Sequence, residues 1–71
     1  MIALPSMGFG PDGKLMFCWD RDEHHLELEI EPGQLPEIFY RNRETDEYWG
    51  GFYDDHNFKS ALQKMYDVQL L

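Results

Sequence analysis

Cysteine occurs once in the 71-residue chain, at Cys18, so no intramolecular disulfide can form and a reducing compartment fits better than a secreted one. Basic residues are also scarce: six stand against fourteen acidic ones, for a formal charge of -8 and a pI near 4.5. Counterion release on a phosphate backbone cannot drive binding with that balance, which disfavours direct contact with nucleic acid. Long apolar runs are missing, and the stretch from Met1 to Gly10 has no basic lead-in, so it reads as neither a signal peptide nor a membrane span. The expected location is the cytosol, of a bacterium or of an infected cell. Nowhere does the sequence contain the glycine-rich dinucleotide loop, the phosphate loop with Gly-Lys-Ser/Thr, the His-Glu-x-x-His metal motif or the Gly-x-Ser-x-Gly nucleophile elbow.

What is abundant is aromatic surface, at 15% of residues. A chain this short buries only about 60% of the surface it exposes when unfolded, so its stability is a few kcal/mol and no core is spare for a deep active site. Large rings supply buried area from few positions, and one compact domain over residues 1–71 is expected.

From Met1 to Gly13 the breakers Pro5, Gly8, Gly10, Pro11 and Gly13 exclude a helix and predict an irregular arm over residues 1–13. Residues 14–53 then read as a sheet. Lys14 to Trp19 places Leu15, Phe17 and Trp19 on one face and Met16 and Cys18 on the other, a strand that is central or covered on both sides. After the charged connection Asp20 to Glu23, the stretch from His25 to Glu31 alternates Leu26, Leu28 and Ile30 with Glu27, Glu29 and Glu31, the pattern of one dry face and one wet face. Pro32-Gly33 makes a tight turn. Leu35 to Arg41 follows, with Ile38 and Tyr40 opposite Phe39 and Arg41. A polar loop from Asn42 to Asp46 leads to a fourth strand, Glu47 to Tyr53, in which Gly50-Gly51 signals a bulge or an early end.

From Asp54 the period becomes helical, with Phe58, Leu62, Met65 and Tyr66 on one stripe; Asp54, Asp55 or Asn57 serves as the cap. The helix is expected over residues 54–69, lying across Leu26, Leu28 and Ile30, because no other segment offers an apolar stripe to cover that face. The fold class is therefore α+β: an antiparallel meander of three to four strands with one C-terminal helix packed on one face.

Cys18, His24, His25 and His56 are the only soft or imidazole ligands, and their spacing fits no tetrahedral zinc pattern. Adjacent histidines on a strand point to opposite faces. Cys18, flanked by Phe17 and Trp19, reads as a structural thiol whose apolar surroundings raise its pKa. No catalytic residue, metal or cofactor is expected. The carboxylate row Glu27, Glu29, Glu31 is either a solvated face partly neutralised by Arg41, Arg43 or Lys14, or an acidic recognition stripe. Tyr48 and Trp49 sit in an aromatic stretch with Tyr40, Phe52 and Tyr53. Exposed rings beside a polar rim favour protein contacts, and packing at a sheet edge is the competing role.

Leu4-Pro5, Asp12-Gly13, the apolar strand Leu15 to Trp19, the charged loop Asp20 to His24, Leu26-Glu27-Leu28-Glu29-Ile30 and Phe39-Tyr40-Arg41 follow one another in a cadence that resembles a widespread group of small uncharacterised bacterial and phage-encoded proteins. The match covers over half the chain and leaves out the helix. It implies a meander sheet and a prokaryotic or phage source, and no chemistry. The functional expectation is a non-enzymatic acidic interaction module of the phage-inhibitor type, acting on a basic surface of a protein such as a nucleic-acid-binding enzyme through Glu27, Glu29, Glu31, Tyr48 and Trp49. The alternative is a small structural or regulatory subunit that associates with itself through the aromatic region.

Overall fold

The computed structural model describes residues 4–66. Five strands follow in chain order, β1 Ser6–Phe9, β2 Leu15–Arg21, β3 His24–Ile30, β4 Glu37–Asn42 and β5 Tyr48–Phe52, and then one helix, α1 Asp55–Tyr66. The strands form a single antiparallel sheet in the order β1-β2-β3-β4-β5, so each connection is local. The architecture is α+β, as the alternation and the change of period predict.

The segment expected to be an irregular arm holds a fifth strand. Pro5 and Gly10 flank β1 rather than interrupt it, and its four residues pair with Leu15 to Cys18. Residues 1–3 of that arm and residues 67–69 of the expected helix lie outside the described residues. The charged connection shrinks to Asp22-Glu23, a two-residue hairpin in which Asp22 adopts φ 53°, a left-handed conformation that aspartate tolerates better than most residues. At Glu31 to Gln34 the Gln34 amide donates to the Glu31 carbonyl at 3.1 Å, with Gly33 at φ 79°, the position where this turn needs a residue without a Cβ. Across Gly50-Gly51 the β4–β5 register runs unbroken from Glu37↔Phe52 to Arg41↔Tyr48, with neither bulge nor early end. The Phe39 ring comes close beside Gly50, near enough that a Cβ there would stand 3.3 Å from it.

The core sits between one face of the sheet and α1. Leu26 and Tyr40 are fully buried, and Trp19, Ala61, Leu62 and Met65 close around them. Trp19 meets Phe58 edge-on at 5.3 Å between ring centres, and Tyr40 stacks on Trp49 at 5.4 Å. The buried Tyr40 hydroxyl is hydrogen-bonded to His24 Nδ1 at 2.7 Å. Burial pushes the Tyr40 pKa up, so the ring stays neutral. The helix starts at Asp54, whose side chain accepts from the Asn57 amide at 2.9 Å while its carbonyl accepts the first helical bond from Phe58, also at 2.9 Å. Of the three predicted caps it is Asp54 that serves; Asp55 instead pairs with Lys59 one turn on. The helix covers only one end of its face. Met7, Phe9 and Ile30, on the same face, remain exposed.

Candidate functional site

Among the described residues no helix covers the opposite face of the sheet. Antiparallel pairing sets its side chains in three rows across β2 to β5: Met16, Glu29, Glu37 and Phe52; Cys18, Glu27, Phe39 and Gly50; Asp20, His25, Arg41 and Tyr48. The period-two pattern of β3 thus delivers Glu27 and Glu29 to this face, half-buried rather than fully solvated. Glu31, just past the strand end, lines the same region with Glu29, Glu37 and Phe52.

Two open hollows flank Phe39. One, of about 420 Å³, has Phe39, Gly50 and Gly51 as its floor and Glu27, Glu29 and Glu37 at its rim. The other, of about 500 Å³, is bounded by Phe39, Arg41, Asp46 and Tyr48. The first exists because position 50 is glycine: a Cβ there would stand 3.3 Å from the Phe39 ring and 3.2 Å from the Ile38 carbonyl.

Charge at this face is partly internal. The His25 ring lies between two carboxylates, with Nδ1 2.8 Å from Asp20 and Nε2 2.8 Å from Glu27. Burial of the ring opposes its protonation, but the hydrogen bonds to Glu27 and Asp20 outweigh it and the His25 pKa is raised. Only the imidazolium donates to both partners. Asp20 also accepts from Arg43 Nη2 at 2.6 Å, and hydrogen bonds from Arg43 and His25 hold its carboxyl below the usual range. Arg41 is engaged by Asp46 at 3.2 Å, and Lys14 lies 4.0 Å from Glu29. Of the three cations expected to neutralise the glutamate row, Lys14 alone reaches it. Glu29 and Glu37 face each other directly across β3 and β4, a like-charge pair, and among the described residues Glu37 meets no cation.

Tyr48 and Trp49 separate. Tyr48 lies on this open face and is 72% exposed, whereas Trp49 turns to the helix side and packs on Tyr40. His24 and His25 likewise part, His24 toward the core. Cys18 stands opposite Glu27 in the middle row; burial, and then the charges of Glu27, Asp20 and Glu29, raise its thiol pKa, which keeps it in the unreactive protonated form. Among the described residues no group of three or more histidine, cysteine or acidic side chains is arranged to hold a metal ion, and no helix is long and apolar enough to cross a membrane.

Glu37, Phe39 and Gly50 were not among the residues singled out from sequence. The alternation of β4 places Phe39 opposite Tyr40, but only the β4–β5 register shows that its neighbour is a glycine. No family model, curated protein or solved structure matches the chain.

Proposed function

We propose that the chain is a non-enzymatic interaction module that occupies a basic surface of a protein partner, in the manner of a small phage-type inhibitor of a nucleic-acid-binding enzyme. The observation that carries this reading is the gathering of Glu27, Glu29 and Glu37 around an apolar hollow, with Glu31 beside it, on a sheet face that no helix covers among the described residues. An acidic rim steers a basic partner toward the face, and the apolar floor supplies contact area once the charges have docked. A net charge of -8 adds to the same field. The Cys18 thiol is held protonated and both ring nitrogens of His25 are engaged by carboxylates, which supports binding rather than chemistry.

The test is affinity capture from a bacterial lysate at low salt, run in parallel with the Glu27→Lys, Glu29→Lys, Glu31→Lys variant. A basic protein held by the parent chain, lost by the variant and released steeply as salt rises supports the reading. Capture that is indifferent to both salt and substitution removes it.

A second reading, self-association, is favoured by the exposure of Tyr48, Phe52 and Tyr53 along and just beyond β5. Sedimentation at high micromolar concentration decides it, since a strict monomer leaves the aromatic edge without that role.

A further inference from the structure

The unpaired edge of β5 lies beside the acidic hollow, and its backbone groups are arranged to accept another strand. The Asn42 amide donates to the Glu47 carbonyl at 2.8 Å, and the Tyr53 amide to the Pro36 carbonyl at 2.8 Å. Bonded and non-bonded positions alternate in an antiparallel ladder, so Glu47, Trp49, Gly51 and Tyr53 turn toward β4. Tyr48, Gly50 and Phe52 therefore point their N–H and C=O groups outward, and among the described residues no strand pairs with them. All three are exposed. Their side chains, or the absence of one at Gly50, belong to the open face, so the free backbone row and the acidic hollow meet at Gly50.

We infer that β5 is the receiving edge for an extended basic segment of the partner, added antiparallel as a sixth strand with an arginine or lysine opposite Gly50. This deepens the proposed reading and rests on it. The glycine leaves open the path that a side chain would block. A long cationic side chain passes over Gly50 toward the Phe39 ring, which stands two strand spacings of about 4.8 Å from the added strand, and its charge enters the hollow that Glu27, Glu29 and Glu37 rim. Its charge relieves the facing pair Glu29 and Glu37. Backbone bonds supply register-independent affinity, and the alternate side chains on the open face supply selectivity. The opposite edge, β1, lacks this arrangement, since Met16 and Cys18 stand between it and the carboxylates. A second copy of this chain is disfavoured because each copy carries the same negative charge and the same acidic hollow.

The probe is a capped peptide, Thr-Lys-Val-Arg-Val-Lys-Thr, whose three cations fall on one face of a strand, compared with the same peptide N-methylated at its arginine. Methylation keeps every charge but removes the central amide donor and blocks close approach. The expected result is binding of the parent peptide, about tenfold or greater weakening on methylation, and new protection of the Tyr48, Gly50 and Phe52 amides from hydrogen exchange. The variant Tyr48→Pro, which removes an outward amide but no β4–β5 bond, weakens binding more than Tyr48→Ala. Equal, salt-sensitive binding of both peptides would overturn strand addition and leave the electrostatic reading standing. No binding of either, or a dimer of the chain itself that Tyr48→Pro dissolves, would overturn the inference, while lysate capture of a basic protein would still uphold the broader reading.

Discussion

The two faces of the sheet are cut from alternate residues of the same five strands, yet they are finished differently. On the helix side Trp19, Leu26 and Tyr40 meet Ala61, Leu62 and Met65, the rings of Trp19 and Tyr40 pack on those of Phe58 and Trp49, and the polar tip of Tyr40 is satisfied by His24. On the open side Cys18, Glu27 and Phe39 form a row with no layer above them, and the last place in that row is empty at Gly50. The helix side carries most of the buried apolar area and hence most of the stability. The open side carries facing carboxylates, a chain of hydrogen bonds from Glu27 through His25 and Asp20 to Arg43, and two hollows beside Phe39. A domain this small builds one core, and the face turned away from it is left open.

The contrast is sharpened most by Leu26→Ala, which should cost about 2–5 kcal/mol in urea unfolding, comparable to the whole stability of such a domain. Cys18→Ala, one place away on the other face, should cost about 1 kcal/mol or less. Equal losses would break the comparison. Next in size is Gly50→Val, which drives a branched side chain against the Phe39 ring and the Ile38 carbonyl and should cost about 1–3 kcal/mol, while filling the hollow. Asp54→Ala removes the helix cap and should cost about 1 kcal/mol, read as an earlier thermal midpoint.

A smaller effect belongs to His25. Its folded pKa lies above its ordinary 6.5, so its stabilisation is complete below about pH 6.5 and fades as pH rises through the raised value. The expected slope in the midpoint across neutral pH amounts to about 0.5–1 kcal/mol and disappears in His25→Gln. Asp20 acts in the other direction: its pKa is lowered, so its contribution is full above the carboxylate range and is lost as pH falls through the lowered value. The smallest effect has the opposite sign. Glu37→Gln should stabilise the chain by about 0.3 kcal/mol, because it relieves the facing pair with Glu29. A loss instead would mean that Glu37 has a favourable role in the free protein.

Much of the meander was legible in the sequence because each of its decisions is local. The alternation of Leu26, Leu28 and Ile30 with glutamates specifies a strand and its two faces, Pro32-Gly33 specifies a turn, and Phe58, Leu62 and Met65 specify the helical stripe. The strand β1 was not legible: four residues among prolines and glycines have no usable period, and Ser6 to Phe9 become a strand only because β2 is there to pair with them. Glu37 and Phe39 were similarly hidden, since their partners Glu29 and Gly50 lie on other strands, and no spacing within one strand reveals what stands beside it.

By itself the sequence determined the α+β class, the negative charge, the membership of each face within a strand and the helix that covers one of them, because periodicity and composition act over a few residues. Only the tertiary structure decided that Gly50 lies beside Phe39, that Glu37 opposes Glu29, and that among the described residues β5 remains an edge. Those facts depend on register between strands, which long-range packing sets and which a linear pattern does not encode.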